Sequence, residues 1–249
     1  FAPEWLKLVT QMVDPSTNSL LLLYDDAQRL NGTRRIKFSL KSVGINAVGR
    51  GHSTILRINY RNTRQILQTA SDLAGDLLRP TDEGEDGIPL LQPISCGREG
   101  PEPLVVRLPD LASQAHHVAD WLEQAHATGH AWGDMAVLCK DWKARNLCAR
   151  TLALRKLPLE NRLSPGHFHP LANTIKVMTM QVSKGLEFPV VAVVDACVDS
   201  ADAPEAQQQT ARLLYVAATR ANQQLLLTMA QDPVPDATPQ AQTTVTLAL

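Results

Sequence analysis

Residues suited to handling phosphate are concentrated in one stretch of this sequence. Between Asp26 and Asp72 stand Arg29, Arg34, Arg35, Lys37, Lys41, Arg50, Arg57, Arg61 and Arg64, with no acidic residue among them. So one-sided a run repels itself unless water or an anion neutralises it. It is either a solvated basic loop or a surface for the phosphates of DNA, RNA or a nucleotide. Arg61 closes the string Asn59-Tyr60-Arg61, and a guanidinium offers paired donors that match phosphate oxygens, where a lysine offers a point charge. Upstream, Gln28 ends the string YDDAQ; its amide both donates and accepts, while Asp25 and Asp26 either join that chemistry or cap a turn. Downstream, Lys184, Gly185 and Glu187 share the segment SKGLEF, where glycine allows close backbone approach or a positive φ. An ordinary strand-to-helix turn does not ask for all three together.

Such residues need elements to hold them. Apolar runs at 19–24, 104–108, 135–139, 174–180, 190–195 and 224–229 predict strands, with another at 54–58. Helical spacing predicts helices from Pro3 through Met12, from Asn62 or Thr63 to about Leu78, from Asp110 to near Gly129, over 142–155 and over 204–221. Residues 79–103 and 157–172 are rich in turn formers and are expected to be surface connections. The tail after Asp232 is expected to fray. Strands alternating with helices predict an α/β fold with a largely parallel sheet. Ligands in such sheets sit beyond the carboxyl ends of the strands, so Asp25, Asn59-Tyr60-Arg61 and the segment after Met180 are expected to share that edge.

Composition narrows the class. The chain has 249 residues, 24 Lys+Arg and 25 Asp+Glu, for a net charge of −1. That near-neutral total averages a strongly basic stretch with an acidic remainder, so it argues only weakly against a nucleic-acid partner. Cys96, Cys139, Cys148 and Cys197 form no C-x-x-C pair, which predicts reduced thiols, a cytoplasmic setting and no zinc site. His116-His117 and His167-Phe168-His169 lack supporting ligand spacing, so no metal is expected on either. No apolar run reaches the roughly 20 residues of a membrane span.

Four segments in order, LLLYDDAQ, NYRNT, VMTMQVSKGLEF and RLLYVAATRA, resemble motifs three to six of the UvrD/Rep group of superfamily-one helicases. The resemblance implies a RecA-like parallel sheet with flanking helices, the motor fold of P-loop NTPase helicases. It implies that Gln28 senses the γ-phosphate, that Tyr60 stacks on adenine, and that Arg61 reaches the γ-phosphate. It further implies that Glu187 binds the ribose and that Arg220 is the arginine finger, a device worth ~10³–10⁵ in rate. Thr179, Ser183 and Lys184 become DNA contacts, and Arg212 and Tyr215 would support Arg220, although a tyrosine at that position is more often core. The sequence departs from the family pattern at Arg29-Leu30-Asn31, where an aromatic is usual, leaving Phe38 as a candidate for base stacking, and at Gln181, where a histidine is common.

The same resemblance implies an organisation. Residues 1–53 would end a first motor domain, 54–232 would form a second with a reduced accessory insertion near 140–173, and 233–249 would be a flexible tail. Neither G-x-x-x-x-G-K-[ST] nor the acidic magnesium pair occurs in these residues. The expectation is therefore the C-terminal part of an ATP-dependent DNA helicase or translocase using ATP and Mg2+. It would move 3′ to 5′ on single-stranded DNA or at a duplex–single-strand junction, and the 249 residues alone would lack ATPase activity. The alternative is a non-catalytic nucleic-acid-binding relic of such a helicase.

Overall fold

The computed structural model describes residues 2–23, 40–45, 56–75, 93–162, 169, 171–199 and 201–231. Near the start, helix α1 (Pro3–Gln11) carries proline in its first turn, where the missing amide costs nothing. It packs on a short 3-10 turn at Leu40–Val43, and Thr10 donates to the Val43 carbonyl at 3.1 Å. Strand β1 (Ile58–Asn59) leads into helix α2 (Arg64–Ala74) and pairs in parallel with β2 (Ile94–Ser95).

The main body then alternates: β3 (Leu104–Leu108), α3 (Leu111–Ala127), β4 (Met135–Cys139), α4 (Trp142–Leu154), β5 (Leu159–Asn161), β6 (Ile175–Thr179), β7 (Phe188–Val194), α5 (Pro204–Ala218) and β8 (Ala221–Ala230). Local chemistry starts each helix. Thr63, Asp110 and Asp141 accept from Ile66, Ser113 and Ala144 amides respectively, and Pro204 opens α5.

Six strands pair in parallel in the order β3-β8-β7-β4-β6-β5. Alternate residues of each strand face opposite sides. Ala136, Leu138, Met178, Val191 and Val193 join α2 and α5 in one core layer. Met135, Val137, Val177, Val190 and Ala192 join α3 and α4 in the other. Covering both faces explains why β4 and β7 are apolar almost throughout.

Several sequence expectations change. The run at 19–24 forms no strand over its described part, 19–23, and Leu21 and Leu23 are exposed; an apolar run becomes a strand only where a sheet receives it. Within 140–173, the helix expected over 142–155 forms as α4, and the turn-rich connection adds an unexpected edge strand, β5. Lys176 on β6 is 1% exposed yet fully surrounded, donating to Glu160, Thr174 and the carbonyls of His169 and Ala172 at 2.6–3.2 Å.

Candidate functional site

The expected single edge divides into two. Thr179 ends β6 and lies in register with Cys139, which in turn pairs with Val194 of β7. Glu187 precedes β7, seven residues before Val194. At about 3.3 Å per residue, Glu187 stands about 23 Å from the Thr179 level along the strands. Arg220 immediately precedes β8, whose Ala221 pairs with Phe188. Glu187 and Arg220 therefore lie at the amino ends of the strands, and Thr179 at the carboxyl ends. The physical reason is connectivity: parallel neighbours require the chain to return after β6, and residues 180–187 make that return without a full helix.

At the amino edge, three sequence segments meet. The Arg61 Nε lies 2.6 Å from Glu187 Oε2, with the side chains 39% and 53% exposed. An ion pair this wet is worth about 0–1 kcal/mol, so an incoming anion or hydroxyl can displace either partner. Tyr60 beside it is 70% exposed. Its turn is built by Asn59, whose Oδ1 accepts from the amides of Arg61 and Asn62 at 2.9 Å each.

Asn62 is fully buried. Its Nδ2 donates to the carbonyl of Thr219 at 3.0 Å and to that of Ala221, while its Oδ1 accepts from Asn59. Either Asn62 or Thr63 can cap α2 on sequence grounds; Thr63 does so, and Asn62 joins the Tyr60-Arg61 turn to the chain around Arg220. Arg98 adds a second tie, donating to the Arg61 carbonyl at 2.8 Å and the Asn222 carbonyl at 3.3 Å. Neither role was foreseen. The available signal was two adjacent cap-type residues, Asn62 and Thr63, before a helix that needs only one.

Arg220 is 1% exposed. Its Nε donates to the Val216 carbonyl at 2.9 Å, Nη1 to the Leu186 carbonyl at 3.1 Å, and Nη2 to Thr219 Oγ1 at 3.2 Å. A guanidinium folded over a helix C-terminus satisfies its last carbonyls and meets the negative dipole end. In this conformation it ties α5 to the segment before β7.

The carboxyl edge is different in character. Thr179 is partly exposed there; on the return segment toward Glu187, Lys184 is exposed, whereas Ser183 is buried and its hydroxyl donates to the Met180 carbonyl at 2.6 Å. Of that expected trio, Thr179 and Lys184 remain accessible. Gly185 takes φ +85°, the left-handed region. Beyond β4 and β6 lies a cleft of about 220 Å3 lined by Lys140, Met180, Gln181, Gln209, Thr210 and others. Gln28, Asp25 and Asp26 lie outside the described residues, as does Phe38. Arg212 is partly buried on α5 and Tyr215 is core.

Residues 174–228 match the family model of the UvrD-like helicase C-terminal domain. That span contains Thr179, Ser183, Lys184, Glu187 and Arg220; Tyr60 and Arg61 lie before it. Among solved structures, the C-terminal domain of a possible DNA helicase from Lactobacillus plantarum WCFS1 is similar, with a TM-score of 0.50 at 20% identity over 69% of this chain and 88% of that one. At that identity the likeness concerns the fold, which is RecA-like. No curated protein matches the chain. The matches support the motif resemblance to a UvrD/Rep-type C-terminal portion.

Proposed function

We propose that the chain is the C-terminal part of an ATP-dependent DNA helicase or translocase, coupling hydrolysis to 3′-to-5′ movement on single-stranded DNA. The observation that carries this reading is the convergence of Tyr60, Arg61, Glu187 and Arg220 at the amino ends of β7 and β8. Four residues from three distant segments meet there, inside a RecA-like fold and apart from Thr179.

A nucleoside triphosphate fits this set on one side. Arg61 offers a half-exposed guanidinium to phosphate, Glu187 a carboxylate to ribose hydroxyls, and Tyr60 an open ring face to a base. Bound ATP with Mg2+ supplies the phosphoryl-transfer chemistry, its phosphate loop and magnesium ligands coming from a first motor domain that residues 1–53 would close. Residues 54–232 act as the second domain. Arg61 exchanges Glu187 for phosphate oxygens, at small cost because the pair is wet. Arg220 would leave the Val216 and Leu186 carbonyls to meet the transferring phosphoryl group, and Gln28 would report the γ-phosphate. At the opposite edge Thr179 holds the DNA backbone, with Lys184 on the return segment toward Glu187 and Ser183 shaping the turn after Thr179.

The test is ATP turnover. The intact protein should hydrolyse ATP with stimulation by single-stranded DNA, while the 249 residues alone should not. Magnesium-dependent turnover by the 249 residues would contradict the division of labour. One observation favours a second reading, a nucleic-acid-binding relic: Arg220 is turned inward on protein acceptors. Salt-dependent single-strand binding by an intact protein that never hydrolyses ATP would select it.

A further inference from the structure

We infer that Trp142 is a base-stacking platform for single-stranded nucleic acid on the carboxyl edge of the sheet. The inference rests on the nucleic-acid part of the reading above and adds to it a binding residue and the chemical group it takes.

Trp142 is 67% exposed. The other tryptophans of the sandwich do not share this: Trp121 and Trp132 pack against the core, and Trp132 stacks on His126 with ring centroids 3.8 Å apart. The position of Trp142 is fixed from below. Asp141 accepts from the Ala144 amide at 2.8 Å, so the first turn of α4 is held by a cap, and Ala144 and Cys148 anchor the helix in the core. An indole is thus displayed largely to solvent by a rigid element.

Its surroundings suit a base attached to phosphate. Trp142 is three residues beyond Cys139, the ladder neighbour of Thr179, so three residues place it within about 11 Å of that strand end. Lys143 adjoins it and is exposed; Lys140 lines the cleft with Gln181, Gln209 and Thr210, its Nζ donating to the Cys197 carbonyl at 3.4 Å. Asp141 is engaged as the cap. Asp195 and Asp199 lie beyond β7, near Cys197, whereas α4 packs over β4, β5 and β6. The edge therefore carries the open Trp142 face and Lys143 on the α4 side, and Lys140 with the Gln181 and Gln209 amides on the α5 side, so a single strand crossing it meets cations and an aromatic as in single-strand grooves. A single strand crossing the edge lays its backbone on Lys140 and Thr179 and a base on Trp142.

Fluorescence titration of the 249-residue chain with oligothymidylate tests this. Wild type should bind with quenching. Trp142→Ala should weaken binding about five- to hundred-fold, the span of one base–aromatic stack, and Trp142→Phe should retain most affinity while losing that quenching. The salt dependence of binding should keep its slope in Trp142→Ala, because stacking releases no counterions. Unchanged far-ultraviolet dichroism would confirm that the variants fold. Wild-type binding with equal affinity in Trp142→Ala would overturn the inference and leave the nucleic-acid reading intact. No binding by wild type at any salt concentration would overturn both.

Discussion

The carboxamide of Asn62 straddles Arg220, donating to the carbonyl of the residue before it and to that of the residue after it. Two segments that chemistry would require to act together are thus joined through one buried amide. The Tyr60-Arg61 turn cannot shift relative to the start of β8 without breaking those bonds. Asn62→Ala would leave two buried carbonyls without this donor, at about 1–3 kcal/mol for each unsatisfied group. The expected result is a lower denaturant midpoint with unchanged m-value. In the intact protein, ATP turnover should fall while single-strand affinity holds. A midpoint equal to wild type would show that the amide does not hold the two segments.

A second prediction concerns Gly100. A Cβ built there would meet Thr63 Cγ2 at 2.5 Å, and Thr63 is the cap of α2. Gly100→Ala should force the threonine off its capping position and cost about 1–2 kcal/mol, the worth of a cap. Thr63→Ala in the same background should then cost almost nothing more. Additive losses in thermal unfolding of the double variant would contradict the coupling.

Lys176 and Glu160 give a pH prediction. Burial tends to raise the Glu160 carboxyl, but hydrogen bonds from Lys176 and His169 outweigh it and hold the group below the ordinary glutamate range. A carboxyl depressed on folding stabilises the protein above its unfolded pKa, and that contribution is lost as pH falls through the folded value. Acid titration of stability should therefore show a loss beginning near the unfolded glutamate value of about 4.3 and continuing below it. Glu160→Gln should remove that part of the acid dependence. It should also cost about 3 kcal/mol at neutral pH, because Lys176 stays buried without its counter-ion. An unchanged acid profile in Glu160→Gln would refute the assignment.

Much of the frame was legible in the residues. Continuous apolar runs placed β4, β6 and β7, and Asp110, Asp141 and Pro204 marked helix starts, because these signals are local. The side of the sheet on which each motif falls was not legible. Arg61, Glu187 and Arg220 were each recognisable, yet strand-end logic put Arg61 and the segment after Met180 on the carboxyl edge. Only the pairing of Phe188 with Ala221, a contact between distant segments, moves Glu187 and Arg220 to the other end. Strand β5 was missed because three residues after Pro158 carry too short a pattern. Asn62 was read as a cap because its true partners, Thr219 and Ala221, are remote in sequence.

The separation of edges leads to the most direct test. Arg61 lies on the amino edge with Glu187, about 23 Å along the strands from the Thr179 level. The decisive measurement is steady-state ATP turnover and single-strand affinity of the intact protein, made in parallel on wild type and Arg61→Ala. The expected result is a loss of turnover of about 10²- to 10³-fold with the single-strand Kd within about twofold of wild type. A parallel loss of both, or turnover that survives the substitution, would contradict the placing of nucleotide and nucleic acid on opposite edges.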